Sequence, residues 1–294
     1  MKNTNAPVGP APEKLTLTTR DGYSLTALRF AASGEPRGNL IVAGANGVRQ
    51  RYYQHFAQFA SAQGYNTLTL DYRGIGLSKP DSLKGFQMSY LDWAFQDLAA
   101  AVDAMSAGDL PLFVVGHSFG GHAFGLLPNH DRVARFYTFA TGAGWHGYMP
   151  PLERFKVSFL WHVLGPLLVR AKGYLAWSRL GMGEDLPLGV YRDWKRWCHF
   201  PRYFFDDPTM AHLAEQFAGV TTPIIAANAL DDLWALPTSR NAFMAGYQNA
   251  AWEGVDIDPA QIGMGNIGHM GYFRKTAEPL WREALNWFGE HETQ

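Results

Sequence analysis

A serine stands between two glycines, in the pattern G-x-S-x-G, at Gly116-His117-Ser118-Phe119-Gly120. The residues before it, LPLFVVG, are typical of a buried strand, and the residues after it, FGGHAFGLL, favour a helix. On a sharp strand-to-helix turn the hydroxyl of Ser118 projects from the end of the strand, and small neighbours let strand and helix approach closely. The pattern predicts a nucleophilic serine, although an ordinary glycine-rich loop can also contain it.

A serine hydroxyl is a weak nucleophile until an imidazole removes its proton, and the imidazole needs a carboxylate to hold its tautomer. Both kinds of group follow Ser118 in the chain. Asp231 and Asp232 come just after the apolar run PIIAANAL, and His269 lies in the glycine-rich segment GNIGHMGYF. The order serine, aspartate, histidine therefore predicts a catalytic triad.

The elements that must position these residues alternate between apolar runs and helix-like segments. The runs are NLIVAG, YNTLTLDY, LPLFVVG, RFYTFAT and TPIIAANAL. Helices are predicted over 49–63, over 89–106 and from Phe119 onward, and a hairpin at Asp21-Gly22 is predicted to precede them. This alternation predicts an α/β fold with a mainly parallel, doubly wound sheet, whose ligand site lies at the carboxyl ends of the strands.

The alternation is interrupted over residues 146–218, where helix-like segments carry many aromatic residues and no strand is evident. Because the chain leaves one strand and returns to the next, we expect a helical cap over the site. The predicted core then comprises residues 1–145 and 219–294. Aromatic side chains that face a pocket would make it apolar and suited to acyl or aromatic groups.

These motifs resemble the α/β-hydrolase family over nearly the whole chain. DYRGIGLS looks like the loop after the fourth strand in many members, and VAGANG resembles the loop after the third strand that supplies an oxyanion-hole N–H. IGHMGYF and the paired aspartates are similar to bacterial members known chiefly as predicted hydrolases. The resemblance implies the α/β-hydrolase fold, with a helical cap inserted in a mainly parallel sheet.

The resemblance also implies roles for the reactive residues. Ser118 would be the nucleophile and His269 the general base, then acid. The G-x-x-D pattern of the family, aligned on Ala229-Leu230-Asp231-Asp232, places the carboxylate at Asp232, with Asp231 as the alternative.

The backbone N–H groups of Ala45 and Phe119 would form the oxyanion hole. Many members carry His-Gly where this chain has Ala43-Gly44, so the hydrogen bonding of that loop stays open. Asn46, His117 and His146 are candidate pocket residues. His117 and His122 lack an accompanying cysteine or carboxylate cluster, so we predict packing roles for both histidines and no metal site.

The bulk composition favours a small-molecule partner. With 25 basic and 26 acidic residues, the net charge of -1 gives no chain-wide reason to bind nucleic acid or an anionic membrane. The single Cys198 excludes a disulfide framework within the chain, and residues 1–14 lack the apolar core of a signal peptide, so we predict a cytoplasmic protein. The apolar run 157–169 is shorter than the roughly 20 residues of a membrane span and predicts a buried or pocket-facing helix.

The sequence therefore predicts a serine hydrolase, a carboxylesterase in the first instance, without metal or cofactor. It would cleave an ester or thioester of a small, largely apolar substrate through an acyl-enzyme. Two alternatives stay open, an acyltransferase that uses the same triad and a ligand-binding protein on the same scaffold. The acyl group, the leaving group and the oligomeric state are not predicted.

Overall fold

An eight-stranded sheet, in the order β1-β2-β4-β3-β5-β6-β7-β8, forms the centre of the molecule. The computed structural model describes residues 11–293, so most of the predicted tail at 1–14 lies outside the described residues. The strands are β1 (Glu13–Thr18), β2 (Ser24–Phe30), β3 (Gly38–Ala43), β4 (Tyr65–Leu70), β5 (Leu112–His117), β6 (Arg135–Phe139), β7 (Ile224–Ala229) and β8 (Trp252–Ile257).

The pairing of these strands confirms the predicted mainly parallel sheet. β1 pairs antiparallel with β2, and β2 antiparallel with β4, whereas every other pair of neighbours is parallel. The predicted hairpin is also confirmed. It turns at Gly22, whose φ of 84° lies in the left-handed region that glycine adopts without steric penalty.

Nine α-helices lie in the described part of the chain, supplemented by short 3₁₀ and π turns. The helices are α1 (Gln54–Ala62), α2 (Ala99–Met105), α3 (Phe119–Phe124), α4 (Pro151–Phe159), α5 (Gly165–Lys172), α6 (Leu188–Trp197), α7 (His212–Ala218), α8 (Pro237–Met244) and α9 (Glu278–Gly289). The helix predicted over 89–106 is shorter at its start, since it begins with the π-helix Trp93–Leu98 and continues directly into α2.

The core lies in two layers, one on each face of the sheet. Strands β3 to β6 are buried along their whole length, as expected for parallel strands covered on both sides. On one face α1 and α9 pack together through side chains such as Phe56 and Trp281. On the other face α2 and α3 pack with the helical insertion, around residues such as Trp93 and Phe119.

The sequence pattern does not indicate β8. This strand pairs only with β7, at the edge of the sheet, and most of its residues are partly or fully exposed. Glu253 and Gly254 interrupt the apolar pattern there. A strand with one neighbour needs no continuous apolar run, so it lacks the signal that identifies the central strands.

Between β6 and β7 the described chain is mainly helical, from α4 to α7. A single β-bridge joins Leu175 and Leu186 inside this segment. Trp161, Trp177 and Trp197 are buried where the insertion meets the rest of the molecule. The insertion therefore shares one hydrophobic core with the sheet, without an interior of its own.

The prediction for the apolar run 157–169 holds on one side of its helix only. Val157 and Trp161 are buried, but Val163 and Leu167 are 43% and 60% exposed. The π turn Leu160–Leu164 rotates the faces along this segment, which the sequence pattern does not show. Among residues 11–293, no helix combines the length and the apolarity needed to cross a membrane.

Candidate active site

Ser118 occupies the turn between β5 and α3, and its backbone conformation is unusual. Its φ of 52° and ψ of -108° are rare for a residue with a side chain. A β-carbon on Gly120 would clash with the carbonyl oxygen of Ala43, so only glycine permits this close approach of helix and sheet. The strained turn projects the serine from the carboxyl end of the central strand.

The side chains of Ser118, His269 and Asp232 form a continuous hydrogen-bonded row. Ser118 Oγ lies 3.0 Å from His269 Nε2, and His269 Nδ1 lies 3.0 Å from both carboxylate oxygens of Asp232. A neutral imidazole with its proton on Nδ1 can donate to the carboxylate and accept from the serine hydroxyl. The arrangement can therefore deprotonate the serine and stabilise the imidazolium that results.

Asp232 is fully buried just after β7, and several donors hold its carboxylate. The backbone N–H groups of Trp234 and Ala235 donate to Oδ1, at 3.1 and 3.2 Å, and the Tyr272 hydroxyl donates to Oδ2 at 3.2 Å. These bonds orient the carboxylate towards His269 and compensate for its removal from water.

Asp231, the neighbouring carboxylate, contacts the loop that carries His269 but not the imidazole itself. It accepts hydrogen bonds from the backbone N–H groups of Ile267 and Gly268, at 2.9 and 3.0 Å, and from the Asn266 amide. The two aspartates thus act on the same histidine differently, since one orients its ring and the other braces its backbone.

A buried series of hydrogen bonds links the loop after β3 to the loop that carries His269. Ala45 N–H donates to Tyr53 Oη at 2.7 Å, Tyr53 Oη lies 2.9 Å from His117 Nδ1, and His117 Nε2 lies 2.9 Å from the carbonyl oxygen of His269. A carbonyl can only accept, so His117 carries its proton on Nε2 and Tyr53 donates to Nδ1. Burial lowers the pKa of His117 to about 3, so the imidazole in this hydrogen-bonded series is neutral.

These hydrogen bonds change the expectation that Ala45 N–H is free to act in an oxyanion hole. Ala45 N–H already donates to Tyr53, so it serves a substrate oxygen only if the tyrosine hydroxyl gives way. Phe119 N–H differs, because it belongs to the first residue of α3, where a helix offers no internal acceptor. The hydrogen bonding of the loop after β3, which the sequence Ala43-Gly44 left open, thus involves the hydroxyl of Tyr53.

An open cavity of about 660 Å³, here called the outer cavity, lies beside Ser118 and His269. Its walls include the loop after β3 and parts of the insertion, with residues such as Asn46, Tyr52, Trp177 and Met182. An ion pair between Arg49 and Glu184 lies at its rim. Asn46, a candidate pocket residue, lines this cavity, and its buried amide atoms have no hydrogen-bond partner among the described residues.

A second, smaller cavity of about 40 Å³, here called the inner cavity, lies on another side of Ser118. Its walls include Val157, Leu160, Trp161 and Cys198, together with His122. The His122 Nε2 atom donates to the carbonyl oxygen of Gly142 at 2.6 Å, and burial lowers the pKa of this histidine to about 4. His122 is therefore a neutral wall residue.

The other candidate pocket residues have different positions. His117 lies beneath the site and contacts the loop of His269, so it lines neither cavity. His146 is partly buried on a short turn before α4, 6.4 Å in ring centroids from His199, and it also lines neither cavity. Residues 11–293 contain no group of three or more His, Cys, Asp or Glu placed to hold a metal ion.

Sequence reasoning did not identify Tyr53 or Trp234, and it included Trp194 only among the aromatic residues of the predicted cap. Trp194 and Trp234 line both cavities, and the Trp234 ring lies 5.6 Å from that of His269. The position of Trp234, two residues after Asp232, is a signal that could have indicated it. Nothing in the local sequence of Tyr53, at the end of a 3₁₀ turn, indicates that its hydroxyl reaches His117 at the end of β5.

Comparison with known proteins relates this chain to hydrolases. The family model described as serine aminopeptidase, S33 matches residues 34–182. The monoglyceride lipase of Saccharomyces cerevisiae is 31% identical over 93 residues, which is 30% of this chain and only 29% of the lipase.

Solved structures resemble the molecule over almost its full length. A soluble variant of the S. cerevisiae monoglyceride lipase, in complex with a substrate analog, is 16% identical, with 99% of both chains covered and a TM-score of 0.72. An α/β-hydrolase from Penicillium sp. sh18 is 17% identical, with 97% and 100% covered and a TM-score of 0.64. At these identities the likeness establishes a shared fold.

Proposed function

The chain belongs to the family described as serine aminopeptidase, S33, and we propose that it is a serine hydrolase of carboxylic esters or thioesters. The proposed substrate is small and largely apolar. The observation that carries the proposal is the hydrogen-bonded row of Ser118, His269 and Asp232, at 3.0 Å for each contact, beside an open cavity. A carboxylesterase is the enzyme class we favour.

In the proposed reaction His269 Nε2 takes the proton of Ser118 as Oγ attacks the substrate carbonyl carbon. The tetrahedral intermediate collapses when His269 returns that proton to the leaving alcohol or thiol, and an acyl-serine remains. Water then attacks the acyl group, with His269 as base, and the acid is released with Ser118 restored. Asp232 keeps the imidazole oriented and stabilises its charged form in both halves.

We assign Phe119 N–H as the first oxyanion donor, since it lies at the amino terminus of α3. Ala45 N–H is the second donor in this proposal, and it becomes available when the Tyr53 hydroxyl yields to the substrate oxygen. A donor aimed at an oxyanion contributes about 3 kcal/mol to the stability of the transition state.

We also propose that residues 146–218 form a cap on a core of residues 1–145 and 219–294. The insertion contributes Trp177, the segment 181–184 and Trp194 to the outer cavity, whose other walls come from the rest of the chain. A site enclosed between the two parts would favour apolar substrates. The absence of a metal or cofactor and a cytoplasmic location stay predictions.

Two alternative functions, acyl transfer and non-catalytic ligand binding, are compatible with the same fold. An acyltransferase would pass the acyl group to an alcohol, amine or thiol in place of water, but the outer cavity leaves Ser118 open to water. A non-catalytic binding protein would have no need of the strained serine turn. The family description also names aminopeptidases, so an aminoacyl p-nitroanilide belongs among the test substrates.

The proposal is tested by intact mass spectrometry after incubation with a small fluorophosphonate. We expect one adduct on the wild-type protein and none on Ser118→Ala or His269→Ala, with circular dichroism as the check of folding. Product analysis of an ester, with and without an added alcohol, distinguishes hydrolysis from acyl transfer. A folded wild-type protein that forms no adduct would favour the binding protein instead.

A further inference from the structure

The two cavities meet at the reactive serine. Ser118, His269, Trp194 and Trp234 line both cavities, and the two tryptophan rings lie 6.5 Å apart in centroids. A substrate carbonyl on Ser118 therefore has two places for its two substituents. The acyl chain and the leaving group can each take one cavity.

The walls of the cavities differ in their exposure to solvent. The inner cavity is surrounded by core side chains, because Val157, Leu160 and Trp161 are all less than 7% exposed. The outer cavity has Met182, 43% exposed, and the exposed Arg49 at its edge. The outer cavity therefore opens to solvent, whereas buried residues enclose the inner one.

The chemistry of the acyl-enzyme assigns a substituent to each cavity. The leaving alcohol or thiol takes the proton from His269 and must depart, and water must then enter, while the acyl group is still bonded to Ser118 Oγ. Departure and entry need the open side. We propose that the inner cavity binds the acyl group and that the outer cavity binds the leaving group.

The volumes then define the substrate class. One water-sized group needs about 10 to 15 Å³ of cavity volume. The inner cavity, at about 40 Å³, therefore holds about three such groups. Acyl groups from acetyl to butyryl fit there, and hexanoyl does not. The outer cavity, at about 660 Å³, accepts a much larger leaving group. The substrate is thus a short-chain acyl ester of a bulky alcohol or thiol.

This assignment rests on the proposed hydrolase function, and two tryptophans provide a matched pair of variants for it. Trp161 and Trp177 are both buried, and both contact Trp194, at 4.9 and 5.5 Å in ring centroids. Trp161 lines the inner cavity and Trp177 the outer cavity. Truncation of one or the other therefore enlarges one cavity at a time.

The experiment measures kcat/KM for p-nitrophenyl acetate, butyrate, hexanoate and octanoate. We expect the wild-type ratio of hexanoate to butyrate to be about 0.1 or less, since one methylene changes kcat/KM by about tenfold or more. Trp161→Ala should raise that ratio at least about tenfold, and Trp177→Ala should leave it unchanged. If Trp161→Ala does not fold, Val157→Ala should raise the ratio in the same direction.

Fluorophosphonate labelling of the same samples separates the two levels of inference. A wild-type protein that labels at Ser118 but cleaves octanoate as fast as butyrate overturns the cavity assignment and leaves the hydrolase standing. An equal change of the ratio in the two tryptophan variants overturns it as well. A folded protein that neither labels nor cleaves any ester overturns the hydrolase proposal, and the assignment with it.

Discussion

At the scale of single residues, the two adjacent aspartates show how one position along the chain changes a role. Asp232 contacts the imidazole of His269 at 3.0 Å, whereas Asp231 accepts from the backbone of the loop that carries that imidazole. The two carboxylates are chemically identical and differ only in the direction in which they point. As a result Asp232 orients the imidazole ring, whereas Asp231 supports the loop.

Asp232→Asn should reduce kcat by about 10⁴-fold with little change in structure, because an amide at this position favours the wrong tautomer of His269. Asp231→Asn should lower stability more than catalysis. The asparagine keeps one oxygen acceptor and loses the other, so one of the two backbone hydrogen bonds is lost, while Asp232 still contacts the imidazole. The measurement is steady-state hydrolysis of a short-chain ester together with urea unfolding of both variants. Equal losses of kcat in the two variants would contradict these roles.

Tyr53→Phe should lower the free energy of unfolding by about 1 to 3 kcal/mol, because it leaves the buried Nδ1 of His117 without a donor. It should also free Ala45 N–H for a substrate oxygen. Urea denaturation measures the first effect. Tyr137→Phe, at a buried tyrosine of β6 outside this hydrogen-bonded chain, is the control and should lower stability less. A Tyr53→Phe variant as stable as the wild type would show that the hydrogen bonds of Tyr53 contribute nothing to the free energy of unfolding.

At the scale of elements, one hydrogen bond joins the insertion to the loop that holds Asp232. Trp234 Nε1 donates to Glu153 Oε1 at 2.8 Å, and Glu153 lies in the first turn of α4. This bond is the main cause of the lowered pKa of Glu153. Because the Trp234 ring also packs near His269, the position of α4 and the geometry of the site depend on each other.

Glu153→Ala should loosen α4 and increase amide hydrogen exchange in the peptide 151–159, since it removes the acceptor of the Trp234 indole. Glu153→Gln keeps a carbonyl acceptor at the same place and should exchange almost as slowly as the wild type. Hydrogen-exchange mass spectrometry makes the comparison, with the peptide of α9 as an internal reference. If the two variants exchange alike, this bond does not hold the helix.

At the scale of the whole molecule, two buried histidines make the folded state sensitive to acid. Burial lowers the pKa of His117 to about 3 and that of His122 to about 4, against an ordinary value near 6.5 in the unfolded chain. The unfolded state therefore binds more protons than the folded state below pH 6.5. The free energy of unfolding therefore decreases as the pH is lowered from 6.5, until the histidines of the folded state also become protonated.

Between pH 7 and pH 5 the two histidines together should remove about 4 kcal/mol of stability, about 2 kcal/mol each. Urea unfolding at a series of pH values measures this loss. His122→Gln keeps a donor of similar reach but cannot titrate, so it should show about half of the loss. Burial raises the pKa of Asp97 to about 7, and this carboxyl affects both proteins alike, so the difference between them isolates His122. An equal pH dependence of the wild-type protein and His122→Gln would show that the pKa of His122 is not lowered in the fold.

The sequence by itself determined the elements whose pattern is local. The apolar runs of β3 to β7 identify a sheet buried on both faces, and the hairpin at Asp21-Gly22 requires a left-handed turn. The G-x-S-x-G pattern indicates the close approach of β5 and α3, where a β-carbon on Gly116 would lie 2.9 Å from the backbone of Gly120. β8 escapes such reasoning because an edge strand with one partner has no continuous apolar pattern.

Only the tertiary structure decided the arrangements that depend on direction. It distinguishes Asp232 from Asp231, and it occupies Ala45 N–H with the hydroxyl of Tyr53, eight residues away along the chain. It also sets Trp194 and Trp234 between an open and an enclosed cavity. Residue type and spacing specify which groups can react, but distance and orientation across separate elements specify which of them meet.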